Sequence, residues 1–228
     1  MRNFTLDGRL SSAAKFVRQG ARFADIGTDH AYLPIFLLES GRIDYAVCSD
    51  INEGPLASAR ENAREAGVYE KIDFTLADGA DALRDKGVTD VAICGMGGEL
   101  IGEIVGRADF LRCEGVRLIL QPMSKFAFLR RELAQLGYEI EEEEYSASQG
   151  KLYLTLSASF TGEVRDITKT EAEFGKEKFL TDVCGEKREF LERRRDALTK
   201  AALGKKKGGE DASDDEELIR YLNIFLGR

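Results

Sequence analysis

Short apolar runs alternate with amphipathic segments through the first 136 residues of the chain. Each run has the length of a buried strand, and glycine, aspartate or a Gln-Pro pair follows closely after it. The predicted strands are 22–26, 45–49, 72–76, 88–94 and 116–120. Apolar residues at helical spacing predict helices over 7–17, 33–39, 54–66, 99–106 and 125–136. This alternation predicts parallel strands with helices on both faces of the sheet.

Two further apolar runs, 138–143 and 151–159, follow without a helical segment between them. Their separation, Glu144–Gly150, is too short for a helical crossover, so the pair is predicted to be antiparallel. Five parallel strands with a closing antiparallel hairpin form the plan of the class I methyltransferase sheet. A dinucleotide-binding dehydrogenase instead has six parallel strands. The predicted fold class is α/β, with a Rossmann-like class I methyltransferase domain over residues 1–162.

The sequence changes character after about residue 163, where long charged stretches carry apolar residues at helical spacing. Residues 163–228 are predicted to form a small α-helical hairpin or coiled-coil appendage. A polar turn over 204–213 separates its two helices, and the second helix is predicted over 214–226. Ser213 or Asp214 is the expected N-cap of that helix, with acidic residues in its first turn.

The net charge of the chain is −8, which by itself disfavours binding to nucleic acid. Residues 187–207, however, contain nine basic and three acidic side chains, a local charge of +6. Such a face can meet phosphate groups while the rest of the molecule repels them. A solvated helix surface is the alternative interpretation. The candidate phosphate-binding residues are Arg188, Arg193, Arg194, Arg195 and Lys200.

No apolar run reaches the length of a membrane-spanning helix, and the first eight residues lack the apolar core of a signal peptide. The four cysteines form no CxxC pair, and His30 is the one histidine. We therefore expect reduced thiols, a cytoplasmic location and no metal site.

The loop Asp25-Ile-Gly-Thr-Asp-His-Ala31 follows the first predicted strand, where open α/β sheets bind their ligands. Gly27 allows the backbone to approach a ligand closely. The GxGxxG phosphate fingerprint is absent, which disfavours a dinucleotide. S-adenosylmethionine has no phosphate and carries sulfonium and ammonium cations that Asp25 or Asp29 would attract. The alternative is an ordinary turn in which acidic residues cap the next helix.

Three further loops follow the next predicted strands. Asp50 lies 25 residues after Asp25 and suits the hydrogen bonds of a ribose diol. Asp78-Gly79 offers a carboxylate to an adenine amino group, and Gly95-Met96-Gly97-Gly98 forms an open wall where a methyl donor would be presented. Helix capping, a tight turn and a flexible connector are the respective alternatives. The candidate cofactor-binding residues are Asp25, Gly27, Thr28, Asp29, His30, Asp50, Ile51, Asp78, Gly79, Gly95 and Met96.

These loops, together with Gly54-Pro55, Ala59-Arg-Glu-Asn62 and Leu118-Ile-Leu-Gln-Pro122, resemble the TrmK family over roughly residues 8–160. The resemblance implies a bacterial tRNA methyltransferase that modifies N1 of adenine 22 in the D-arm and uses S-adenosylmethionine. It also implies a helical appendage that docks tRNA. Met123 departs from the family pattern, in which asparagine commonly follows Gln-Pro, and the helical tail is short.

Methyl transfer to N1 needs alignment in a water-poor pocket more than an activated side chain, because N1 carries its own lone pair. No catalytic side chain is assigned. The candidates for lining the pocket are Asp29, His30, Tyr32 and Met96, and His30 has an alternative as a helix-start residue that bonds the backbone. The missing N-P-P-Y/F loop disfavours chemistry on an exocyclic amine.

Two other classes of function remain open at this point. One is a methyltransferase for another RNA, a small molecule or a protein, and the other is a non-catalytic module that binds S-adenosylmethionine. A nicotinamide enzyme is a more distant third, because the phosphate fingerprint is missing. No metal, membrane contact or obligate protein partner is expected.

Overall fold

The computed structural model describes residues 5–227. Residues 1–4 of the predicted domain 1–162 and residue 228 of the predicted appendage 163–228 lie outside the described residues. Seven strands form one sheet in the order β3-β2-β1-β4-β5-β7-β6. The strands are β1 (Arg22–Ile26), β2 (Tyr45–Asp50), β3 (Ile72–Leu76), β4 (Asp90–Gly97), β5 (Arg117–Ser124), β6 (Tyr138–Ser148) and β7 (Lys151–Phe160). β1 to β5 pair in parallel, and β7 pairs antiparallel with both β5 and β6. The predicted class I methyltransferase sheet is confirmed.

Helices connect and follow these strands. They are α1 (Gly8–Phe16), α2 (Tyr32–Glu39), α3 (Glu53–Ala66), α4 (Gly98–Arg107), α5 (Phe126–Gln135), α6 (Lys169–Phe174), α7 (Gly185–Lys207) and α8 (Ser213–Leu226). Short 3-10 turns lie at Tyr69–Lys71, Asp81–Leu83, Asp109–Leu111 and Glu177–Leu180. None of the helices within residues 5–227 has the length and apolar character needed to cross a membrane.

Both faces of the sheet are buried, as the apolar strands predict. Along β1, Ala24 and Ile26 pack into the cluster that contains Ile101 of α4 and Leu129 of α5. Phe23 is part of a second cluster, which contains residues of α1, α2 and α3. Because helices cover the faces, a ligand reaches the sheet at its strand ends.

The prediction that Gly95-Met96-Gly97-Gly98 forms a loop is wrong. β4 continues through Gly97, and α4 begins directly at Gly98. The reason is that β5 is also longer than predicted, so that Met96 pairs with Pro122 and Gly97 with Ser124, with register shifts at these positions. Backbone pairing between neighbouring strands thus overrides the local preference of glycine for a loop.

The helical tail forms the predicted antiparallel hairpin. Lys205 pairs with Asp215 at 2.7 Å beside the turn, and Arg188 donates to the Leu226 carbonyl at 3.3 Å at the opposite end. The turn is shorter than predicted, because α7 continues to Lys207.

The predicted N-cap of α8 is wrong. The helix begins at Ser213, its N-cap position is Ala212, and no side chain caps it there. Asp211 instead accepts hydrogen bonds from the backbone N–H and the hydroxyl of Ser213, both at 2.9 Å. This short-range bond, typical of Asp in turns, replaces the expected cap.

Polar and aromatic contacts fix the helical tail to the residues before it. Arg130 of α5 and Glu143 of β6 form a buried ion pair at 2.9 Å, and the Arg130 Nη1 also donates to the Ala172 carbonyl of α6 at 3.0 Å. On α7, the Phe190 ring packs edge-on against Phe126 and Tyr145, with centroid distances of 5.6 and 5.1 Å. The tail is therefore joined to the rest of the chain by hydrogen bonds from Arg130, whose charge is paired with Glu143, and by an aromatic cluster.

Candidate active site

A cleft of about 700 Å³ opens at the carboxyl ends of β1, β2 and β4. The N-terminal segment and α1 form another of its walls, and Met123 of β5 and Tyr153 of β7 also line it. Many of the residues predicted from the sequence meet here. They are Asp25, Gly27, Thr28, Asp29, His30, Tyr32, Asp50, Gly95 and Met96.

Asp25, near the end of β1, is the buried carboxyl of the cleft. It accepts a hydrogen bond from the Thr28 hydroxyl at 2.7 Å. Burial raises the pKa of Asp25 to about 7, and the Thr28 hydrogen bond and the charge of Arg9 only partly oppose this effect. A cation bound in the cleft would favour the ionised carboxyl, so Asp25 is suited to respond to a positively charged ligand.

Gly27 brings the backbone of the first predicted loop close to the Met96 side chain. Its φ of +72° lies in the left-handed region, and a Cβ at this position would lie 2.1 Å from the Met96 Cε. Any side chain at position 27 would therefore displace Met96 from its place in the cleft. The first and fourth predicted loops are thus in direct contact.

Asp29, His30 and Tyr32 form the outer part of the cleft. Asp29 adopts a left-handed conformation with φ of 46°, which is strained for a residue other than glycine. The His30 Nε2 lies 3.6 Å from the Asp29 Oδ2, and the His30 ring stacks on Tyr32 at 5.2 Å. The N-cap of α2 is Ala31, with no side-chain cap hydrogen bond. Neither Asp29 nor His30 therefore caps α2.

Asp50 is the last residue of β2. It lines the cleft, while its Oδ1 accepts a hydrogen bond from the Asn52 backbone at 2.8 Å. The adjacent Ile51 is 63% exposed and does not line the cleft.

Asp78 and Gly79 also lie outside this cleft. Both carboxylate oxygens of Asp78 accept hydrogen bonds from Arg107 of α4, at 3.1 and 3.2 Å, and these bonds lower the pKa of the Asp78 carboxyl. An added Cβ on Gly79 would lie 3.2 Å from the same guanidinium. The Arg107 side chain thus holds the third predicted loop against α4.

Arg9 of α1 is a cleft residue that the sequence did not reveal. Its Nη1 lies 3.4 Å from the Gln121 Oε1, which also accepts the Gly95 backbone N–H at 3.0 Å. Among the described residues that line the cleft, Arg9 is the only lysine or arginine, beside the carboxylates of Asp7, Asp25, Asp29 and Asp50. The cleft therefore offers one cationic position within a largely anionic wall.

Within residues 5–227, no cluster of three or more His, Cys, Asp or Glu side chains is arranged to hold a metal ion. A small organic ligand that carries both a cationic and an anionic group fits the charges of the cleft better than a bare anion does. A zwitterionic amino acid moiety has this character, with its ammonium facing carboxylates and its carboxylate facing a guanidinium.

Comparison with known proteins extends this description. The family model described as "Methyltransferase domain" matches residues 6–156. The tRNA (adenine(22)-N(1))-methyltransferase of Bacillus subtilis is 32% identical over 158 residues, which are 69% of this chain and 66% of that enzyme. The chain belongs to the TrmK family.

Two solved structures support membership of the TrmK family over nearly the whole chain. A Streptococcus pneumoniae protein solved in complex with S-adenosyl-L-methionine is 32% identical, with 96% of this chain and 98% of that chain covered and a TM-score of 0.82. TrmK of M. capricolum, in complex with S-adenosyl-homocysteine, is 25% identical, with coverages of 97% and 98% and a TM-score of 0.79. These alignments include the helical tail as well as the sheet.

The basic residues predicted to bind tRNA all lie on α7, and most have partners within the chain. Arg193 pairs with Glu189 on its own helix at 2.5 Å, and Arg194 pairs with Glu173 at 2.6 Å. Arg188 and Arg195 pair with acidic residues of α7. Lys200 is exposed, and within residues 5–227 it has no ion pair. Glu189, Glu192 and Asp196 are already counted in the +6 charge of residues 187–207, so of these pairs only Arg194 with Glu173 neutralises a further charge.

Proposed function

We propose that this chain transfers the methyl group of S-adenosylmethionine to N1 of adenine 22 in tRNA. Its membership of the TrmK family supports this proposal, as do the relatives described above. The observation on which it depends most is the convergence of Asp25, Asp50, Met96 and Arg9 on one cleft at the strand ends. Such a cleft is where a class I sheet binds its ligand.

The charges of the cleft fit this cofactor. In the proposed arrangement, Arg9 donates hydrogen bonds to the carboxylate of the methionine moiety, and the buried Asp25 faces the cationic groups of the cofactor. The Asp50 oxygen that does not bond Asn52 accepts hydrogen bonds from the ribose hydroxyls. When bound, S-adenosylmethionine supplies an electrophilic methyl group.

The outer part of the cleft is the proposed position of the target base. The stacked rings of His30 and Tyr32 offer a planar edge beside the Asp29 carboxylate. The N1 lone pair forms the new bond to the methyl carbon as the carbon–sulfur bond breaks, so the positive charge moves from sulfur to the adenine ring. Asp29 is placed to stabilise that charge, and no side chain needs to remove a proton. A base-paired adenine would have to leave its stack to reach this position.

Docking of tRNA is proposed to use α7. Ion pairs between exposed side chains are weak, so Arg193 can exchange Glu189 for a phosphate, and Lys200 is available without any exchange. A polyanion with many phosphates can thereby bind a chain whose total charge is negative.

Methyl transfer from radiolabelled S-adenosylmethionine to unmodified tRNA transcripts tests the proposal. We expect incorporation into a transcript with adenine 22 and none into a matched transcript with guanine at that position, with 1-methyladenosine identified by nucleoside analysis. Cofactor binding without methylation of either transcript would refute the proposed function. Methylation of both transcripts to the same extent would refute the choice of adenine 22.

A further inference from the structure

A second concave surface, of about 420 Å³, lies beside the cleft, and among its lining residues only Arg193 has a role in the proposal above. We call it the side groove. One wall comes from the sheet region, with Phe126 of α5 and Lys151 at the start of β7, and the other comes from Phe190, Arg193 and Ala197 of α7. The groove therefore exists only because the helical tail packs on the sheet.

The side groove adjoins the cleft. Met123 and Tyr153 line both cavities. Met123 is 46% exposed, which leaves it accessible from the solvent. A chain that enters the cleft with one of its units can place the next unit in the groove.

The side groove has both apolar and basic lining residues. Phe126, Leu152 and Ala197 form its apolar lining, whereas Lys151 and Arg193 supply positive charge. Lys151 is exposed and has no ion pair within residues 5–227, and Arg193 is held only by the exposed pair with Glu189. Aromatic and apolar surface beside basic side chains is the pattern that binds single-stranded nucleic acid.

We propose that the side groove binds the nucleotide adjacent to the methylated adenine, with its base against the apolar lining residues and its phosphate at Lys151 and Arg193. This inference rests on the proposed function. A base that leaves its stack pulls the neighbouring backbone to the mouth of the catalytic cleft, where the side groove begins. The helical tail thus helps to position the target base, in addition to any contact with distant parts of the tRNA.

Two substitutions test the groove separately from the cofactor site. Lys151→Glu reverses the charge of one lining residue of the side groove, and Ala197→Trp fills the groove from an exposed position of α7. Each is expected to lower kcat/KM for the adenine 22 transcript at least tenfold while the Kd for S-adenosylmethionine changes less than twofold. Lys151→Glu should also reduce the slope of log K against log salt by about one.

Matched controls are available on the same chain. Lys71→Glu makes the same charge change at an exposed position before β3, at the opposite end of the strands from the cleft. Ala201→Trp adds the same ring one turn further along α7, at an exposed position outside the groove. Both control variants are expected to stay within twofold of the wild type.

Transcripts that lack one base identify the occupant of the groove. With wild-type protein, removing the base on one side of adenine 22 should lower kcat/KM at least fivefold, and the same removal should have little further effect in Ala197→Trp. Wild-type kinetics in both groove variants, or equal losses in groove and control variants, would overturn the inference. If the groove inference is overturned while the wild type still methylates adenine 22, the proposed function stands. If the wild type does not methylate adenine 22, the proposed function fails, and the groove inference fails with it.

Discussion

Changing Asp25 to asparagine is expected to stabilise the cofactor-free protein. Folding raises the pKa of this buried carboxyl from 3.8 to about 7. A carboxyl whose pKa is raised by folding destabilises the fold as the pH rises, and this cost is complete above the folded-state pKa. The shift corresponds to about 4 kcal/mol at about pH 8 and about 2 kcal/mol at about pH 5. Asparagine avoids the cost because it does not ionise, while its side-chain oxygen still accepts the Thr28 hydrogen bond.

The same substitution is expected to weaken cofactor binding. The ionised form of Asp25 attracts the cationic groups of S-adenosylmethionine, and its fraction rises from about a tenth at pH 6 to about nine tenths at pH 8. The affinity of the wild type should therefore increase about tenfold over this range, with release of a proton on binding below neutral pH. In Asp25→Asn the affinity should be lower and nearly independent of pH.

Urea unfolding at the two pH values measures the first effect, and calorimetric titration across the pH range measures the second. His30→Gln is the matched control, because it changes another polar side chain that lines the same cleft and leaves the Asp25 carboxyl in place. This control should keep the pH dependence of binding. If Asp25→Asn were no more stable than the wild type at the higher pH and its affinity varied with pH as before, the conclusion that burial raises the pKa of Asp25 to about 7 would be refuted.

Three further substitutions test separate parts of the structure. Arg9→Gln should raise the Kd for S-adenosylmethionine about 10- to 100-fold in calorimetry, since hydrogen bonds to charged groups contribute about 1.5–3 kcal/mol; an unchanged Kd would remove Arg9 from the cofactor site. Gly98→Ala would place a Cβ 2.6 Å from the Lys125 carbonyl, so the melting temperature should fall by an amount equivalent to about 1–3 kcal/mol, and a wild-type value would contradict this close contact. Arg130→Ala leaves the Glu143 carboxylate buried without its partner and should cost about 3–5 kcal/mol in urea unfolding, whereas a loss below about 1 kcal/mol would show that water replaces the pair.

Local sequence signals predicted the elements that depend on short-range patterns. β1 and β3 begin and end at the predicted residues, because each is a short run of mainly apolar residues followed by residues that favour turns. The antiparallel pairing of β6 and β7 followed from the short connection between them. Strand-end geometry then brought Asp25, Asp50 and Met96 together, since the carboxyl ends of neighbouring parallel strands share one edge of the sheet.

Contacts between distant segments account for the rest. Arg9 enters the cleft because α1 packs beside β4, and no local pattern reveals that position. Asp78 does not line the cleft and instead accepts hydrogen bonds from Arg107, which lies 29 residues further along the chain. The extension of β4 through Gly97 depends on pairing with β5. In each case the deciding partner is remote in sequence, so composition and periodicity carry no signal for it.

The insertion of Phe190 between Phe126 and Tyr145 has a consequence for protein engineering. A truncation at residue 162 would uncover the rings of Phe126 on α5 and Tyr145 on β6 and would remove the α6 carbonyl groups to which Arg130 donates. The resulting fragment would carry an exposed apolar patch and would tend to aggregate. A chimera that exchanges the helical hairpin between relatives must therefore keep Phe190 together with matching residues at positions 126 and 145.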